Sequence, residues 1–173
     1  MSSDKLLKVL MAVVLMLPLP AWAATRGIKS ILFDINCGER IKRAADANTI
    51  ELAKQEMDAV VAYLESNDLT SGYTSVIYRS PNEDVGFWYK NLKSAKEELY
   101  LVTPSTTQLE KTNILIKLRE TLVDHSASGV KVTIPEGISV FPNNMSYFLW
   151  CWVSIITFCL GGWILYLAYG KNR

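Results

Sequence analysis

The stretch Met145–Gly170 constrains this chain more than any other: 26 consecutive residues carry no charge and no proline. A helix needs about 20 predominantly apolar residues to cross the hydrocarbon core of a bilayer. This run is long enough to cross with some tilt. Trp150, Trp152, Trp163, Tyr166 and Tyr169 gather toward its ends, where amphipathic rings settle at the headgroup level. Thr157 and Gly161 form a small-xxx-small pair with Gly162 beside it, the pattern that lets two helices approach closely. The run holds no ionisable side chain of the kind that marks an ion or proton path. It reads as one transmembrane helix, residues 145–170, with the lipid bilayer as its first partner.

The N-terminus has the layout of a secretory signal peptide. Lys5 and Lys8 precede the apolar segment Val9–Leu17, Pro18 and Pro20 interrupt a helix, and Ala21-Trp22-Ala23 forms an A-x-A cleavage site. The competing reading, an uncleaved anchor, is disfavoured by the shortness of residues 9–24 and by the two prolines. Lys171 and Arg173 follow the C-terminal span, and cationic flanks stay in the cytoplasm. The expected organisation is a signal peptide at 1–23, an extracytoplasmic domain at 24–144, the span at 145–170 and a cytoplasmic tail at 171–173. The middle region lies outside whether or not the signal is removed. This describes a single-pass protein of a bacterial inner membrane with a periplasmic domain; a eukaryotic type I protein would show the same features.

Charge and cysteine content narrow the function classes. Between Ala24 and Asn144 lie 14 of the 18 basic and 16 of the 17 acidic residues, a net of −2. A surface so nearly neutral does not steer a charged polymer, and no nucleic acid is expected as a partner. Cys151 and Cys159 fall in the span, leaving Cys37 alone outside it. An odd exported cysteine is either a buried thiol or one half of an intermolecular bridge, and burial is the plainer reading.

The middle region is mainly helical by pattern. Residues 24–35 are ambiguous, because Ile31, Phe33 and Ile35 alternate as in a strand within a run too short to type. Ile50, Ala53, Met57, Val60, Val61 and Leu64 recur at helical spacing, with a break expected near Asp46–Asn48. Tyr73–Tyr78 is rich in β-branched and aromatic residues and suits a short extended segment. Ser80-Pro81-Asn82-Glu83 signals a helix start. Val85, Trp88, Leu92, Ala95 and Leu99 supply the face of that helix. A third helix starts at a cap near Ser105 or Thr107, presents Leu109, Ile114, Leu115, Leu118 and Leu122, and closes at 126–129. Three amphipathic helices with short links can bury these faces as a bundle. A small β element, formed by residues 130–140 against 74–78 or 31–35, is a further expectation.

Chemistry-bearing motifs are sparse. No C-x-x-C, H-x-x-x-H, G-x-S-x-G or glycine-rich phosphate loop occurs, so no metal, cofactor or catalytic residue is assigned. His125, the sole histidine, reads as a helix-end cation. Neighbouring carboxylates such as Glu97 and Glu98 read as solvated charge. The sequon at Asn144 adjoins the span and reads as chance.

The residues singled out for interaction are Phe87, Trp88 and Tyr89, an aromatic knot at the start of a helix whose plainer reading is the domain's core rather than a ligand cage, with Thr157 and Gly161 in the span. The expected function is a non-enzymatic, membrane-tethered interaction or assembly subunit whose partner is an integral membrane protein or another copy of itself. An extracytoplasmic ligand-sensing accessory subunit, signalling through a partner, is the alternative. An envelope enzyme built on Glu39 or Asp34 comes third.

Overall fold

The computed structural model describes residues 3–126 and 129–170. The molecule is mainly helical, with one two-stranded sheet among the described residues. It divides into two compact units. One joins the N-terminal helix up to Lys29 to the C-terminal helix from Asn143; the other is Ser30–Pro142.

In the first unit, α1 (Ser3–Met16) leads into α2 (Pro18–Phe33) with only Leu17 between them. Pro18 and Pro20 do not end the helix. Leu17 N–H still donates to Val13 O and Ala21 N–H to Leu17 O, both at 3.2 Å, so the i→i−4 ladder resumes around the two missing donors. The other member is α7 (Asn144–Gly170). At about 1.5 Å per residue its 27 residues extend roughly 40 Å. Both the helix run beginning at Ser3 and α7 are long and apolar enough to cross a membrane. Together they support membrane association.

The segment Ile31–Ile35, ambiguous by pattern, is helical through Phe33 and then passes into a π turn, Asp34–Gly38. Alternation over five residues does not separate the two periods. Phe33 faces the core while Ile31 and Ile35 stay exposed. The π turn delivers Cys37 and Gly38 into the interior. A Cβ at Gly38 would run into the Asp34 carboxylate oxygen, so any larger residue there requires the Asp34 side chain to move.

The core of the second unit is built around α4 (Ile50–Ser66), whose six face residues from Ile50 to Leu64 are all buried. The break that precedes it falls at Asp46–Thr49, and Thr49 caps the new start by accepting from Leu52 N–H at 3.3 Å. Against α4 pack α3 (Glu39–Ala45) and α5 (Val85–Tyr100), and α6 (Gln108–Leu122) closes the layer. Ile41, Met57, Leu64, Leu99 and Leu122 are almost wholly removed from water. Burial of each such side chain is worth about 1.5–3 kcal/mol. Thr107 and Glu110 form a reciprocal capping box at the start of α6.

Two expectations fail at the end of α6. The helix stops at Leu122, and β1 (Val123–Ser126) and β2 (Gly129–Val132) form an antiparallel hairpin with Val123 opposite Val132. The β element is therefore local. Residues 74–78 and 31–35 are not its partners, and Tyr73 makes only an isolated bridge to Asp84. His125 lies in β1 instead of at a helix end.

One charged group is buried within this core. Glu56 is 4% exposed and receives Arg43 at 2.6 Å and Arg40 at 3.2 Å. The arginines themselves are partly or largely exposed, so the desolvation cost falls on the carboxylate. Replacing both arginines by alanine should therefore destabilise the protein by about 3 kcal/mol or more, because a buried charge is left without a partner. Glu56→Gln should cost distinctly less. Denaturant unfolding of the full chain in mild detergent measures both.

Candidate interaction surfaces

The aromatic knot expected as a unit is split by the start of α5. Asp84 caps the helix, its carboxylate accepting from Phe87 N–H at 3.0 Å. That bond holds the Asp84 carboxyl below its usual range. Ser80 and Pro81 start a 3-10 turn, Pro81–Glu83, in place of the α-helix itself, and the Ser80 hydroxyl donates to Glu83 at 2.6 Å. Thr74 N–H to Glu83 O (3.0 Å) and Val85 N–H to Gly72 O (2.9 Å) tie the preceding loop to this turn. Gly72 has φ +107°, and a Cβ there would meet the Phe141 ring at 2.8 Å. Both its conformation and its neighbour require glycine.

From this fixed start, successive residues point to different sides. Trp88 turns inward, is 6% exposed and donates its indole N–H to Thr133 O at 2.7 Å. Phe87 points out and is 62% exposed. Tyr89 is half-buried. Its hydroxyl donates to Glu65 at 2.6 Å, which raises the phenol above its ordinary range. Of the three, Trp88 belongs to the core and Tyr89 packs against its edge. Phe87 is free to meet something else.

Phe87 borders a groove of about 530 Å³ whose walls include Tyr78, Pro81, Trp88, Ile134 and Glu136. A second hollow of about 380 Å³, also bordered by Phe87, runs along Tyr73, Arg79 and Asn82. Ile77 and Tyr78, in the loop before the 3-10 turn, are 81% and 75% exposed. Sequence reading expected a short extended segment at Tyr73–Tyr78, one of two candidates to pair with residues 130–140. The loop carries Ile77 and Tyr78 outward instead, and hydropathy alone could not distinguish a paired segment from an exposed loop.

The span residues have a different setting. Thr157 is half-buried and its hydroxyl donates to Ser154 O at 3.1 Å. Gly161 is buried against α1: a Cβ there would come within 2.8 Å of both Ala12 O and Met16 Cγ. Ala12 is wholly buried. The small face of α7 is thus occupied by the chain's own N-terminal helix. A contact between residues some 150 positions apart has no signature in either segment alone.

Catalytic geometry does not emerge. Among the described residues, no group of three or more His, Cys, Asp or Glu side chains could hold a metal ion. Asp34 lies in the π turn and Glu39 begins α3, with no acid-base partner assigned to either. Cys37 is fully buried and free, and burial, aided by the nearby Asp34 charge, pushes its thiol up to about 12.

Two outcomes follow from these settings. Trp88→Ala should destabilise the protein by about 3–5 kcal/mol, whereas Phe87→Ala should stay within roughly 0.5 kcal/mol of the parent, as thermal unfolding in detergent would record. Cys37 should resist a maleimide at pH 8 in the folded chain and react on unfolding, as peptide mass mapping would show. A thiol that stays protonated is a poor nucleophile.

The chain matches no protein-family model, no curated protein and no solved structure.

Proposed function

We propose that this chain is a non-enzymatic, membrane-tethered interaction or assembly subunit. In this reading the helices α4, α5 and α6 form an extracytoplasmic bundle, α7 anchors it, and the partner is an integral membrane protein or a second copy of the chain. The observation that carries the reading is the uncovered apolar group Ile77, Tyr78 and Phe87 beside an open groove, in a chain with membrane-length helices. Tyr78 and Phe87 both line the groove, and contiguous exposed apolar surface rimmed by polar residues marks interaction sites. Aromatic anchors also dominate the energetics of protein interfaces. The location proposed is a bacterial inner membrane, with Ser30–Pro142 on the periplasmic side and the C-terminus cytoplasmic. Cleavage after Ala23 would leave a single pass; retention of the N-terminal helix would leave the same domain on the same side.

A second reading is favoured by the groove itself. Its size suits a small molecule, and its mixed walls, Trp88 and Ile134 with Asn91 and Lys131, could orient one. In that case the chain is a ligand-sensing accessory subunit that signals through its partner.

Light crosslinking of native membranes, mild-detergent purification and mass spectrometry should recover a stoichiometric membrane partner. The combined Tyr78→Ala and Phe87→Ala exchange should lower that recovery at least tenfold without lowering the melting temperature. A parent protein recovered alone and monomeric would contradict the interaction reading, and a saturable small-molecule thermal shift would support the sensor instead.

A further inference from the structure

We propose that the N-terminal helix is not removed as a signal peptide but remains as a second membrane span, paired antiparallel with α7. The proposal rests on reading α7 as a membrane helix, and its test separates the two claims.

The cleavage site is the first reason. Ala21-Trp22-Ala23 lies within α2, in continuous helix, with Ala21 N–H bonded to Leu17 O. The Trp22 indole N–H donates to Tyr147 O at 2.9 Å on α7. Proteolytic nicking concentrates at exposed loops and tips, where the backbone can be drawn out. Here the scissile region would have to unwind and release its bond to α7 first.

The fit between the helices is the second. Ser154, Gly161 and Ala168 are the buried residues of α7. Their seven-residue spacing sets them along one face, the seam that paired helices share. Gly161 meets Ala12, Leu15 and Met16, and Ile164 and Leu167 line a hollow with Leu7 and Met11. Rising numbers on α1 meet falling numbers on α7, down to Trp22 beside Tyr147. That order is antiparallel. Removing residues 1–23 would strip the partner from the one small-residue face that α7 possesses.

Length and polarity are the third. Val9–Thr25 is 17 residues without a charge, about 25 Å of helix. Lys8 at one end can extend toward the headgroups along its aliphatic stem. At the other end Arg26 lies 5.5 Å from the Trp22 ring and Lys29 lies 5.5 Å from the Tyr147 ring. Cations over aromatic faces suit the membrane interface. Leu6, Leu10, Val14 and Leu17 are all more than half exposed on the faces turned away from α7. Lipid gives them an apolar surrounding that water does not. The helices lie together through a close backbone approach, as small residues permit in lipid.

The retained pair keeps Lys5 and Lys8 at the same end as Lys171 and Arg173 in the sequence order of the hairpin. The intervening domain, far longer than about 60 residues, falls outside the loops whose charge sets orientation. Retention therefore leaves the domain on the outer side.

The test is the intact mass of the full chain purified from native membranes. The expected species retains residues before Ala24 and has a mass near 19.4 kDa for the unprocessed chain. In a second arm, Met11→Cys with Ile164→Cys, two positions that line one hollow between the helices and leave Gly161 intact, on a chain whose Cys151 and Cys159 are serine, should form an intramolecular disulfide under copper-phenanthroline oxidation. A chain beginning at Ala24 overturns the proposal, and if it still resists alkaline carbonate the anchor reading stands without it. An intact chain that gives no disulfide overturns the pairing. Release of the intact chain by carbonate overturns both the pairing and the anchor beneath it.

Discussion

Gly161 has no side chain, and the meeting of α1 with α7 depends on that absence. A single Cβ would press on the Ala12 carbonyl and on Met16 at 2.8 Å, distances that would force the helices apart. In lipid, helix association draws little on the hydrophobic effect, because acyl chains are as apolar as leucine. Close van der Waals approach has to supply the attraction instead. Ala12 and Gly161 provide the approach, and the bond from Trp22 to Tyr147 O adds a polar contact at the other end of the pair. The face of α7 most suited to recruiting a partner is thereby used within the chain. In the proposed interaction reading, recruitment then falls to the outward aromatic faces of these helices or to the unit Ser30–Pro142.

That domain obeys a different rule. Its helices are held by apolar burial around α4, and the buried carboxylate of Glu56 is matched by two arginines. The loop from Gly72 to Asp84 is fixed at both ends, by Gly72 O and Glu83 O, yet it presents Ile77 and Tyr78 to solvent. A loop tied at its base with apolar tips suits a contact surface that is formed before binding. Less ordering is then required when a partner arrives.

Much of the domain was legible in its residues. The α4 face, the Thr107–Glu110 box and the buried positions Val85, Trp88, Leu92 and Leu99 follow from helical spacing and capping chemistry, which are local. The failures were of three kinds. Two prolines read as a stop, but the backbone ladder resumes around them, with Leu17 N–H bonded to Val13 O and Ala21 N–H to Leu17 O. Leu118 and Leu122 continued a helical rhythm that conceals the turn into β1, where Val123 is buried as a strand residue. The aromatic triplet Phe87, Trp88 and Tyr89 read as one knot, although consecutive helix residues lie about 100° apart and cannot share a face. The pairing of α1 with α7 was beyond reach, since neither helix carries a mark of the other.

The arrangement of the chain across the membrane is the centre of the account. It is tested most directly by labelling intact cells with a membrane-impermeant maleimide at single introduced cysteines. Glu97→Cys reports on the exposed surface of α5 and Ser3→Cys on the start of α1. The account predicts labelling at position 97 in intact cells, and at position 3 only after the membrane is opened. Labelling of both from outside, or of position 3 alone, would contradict it.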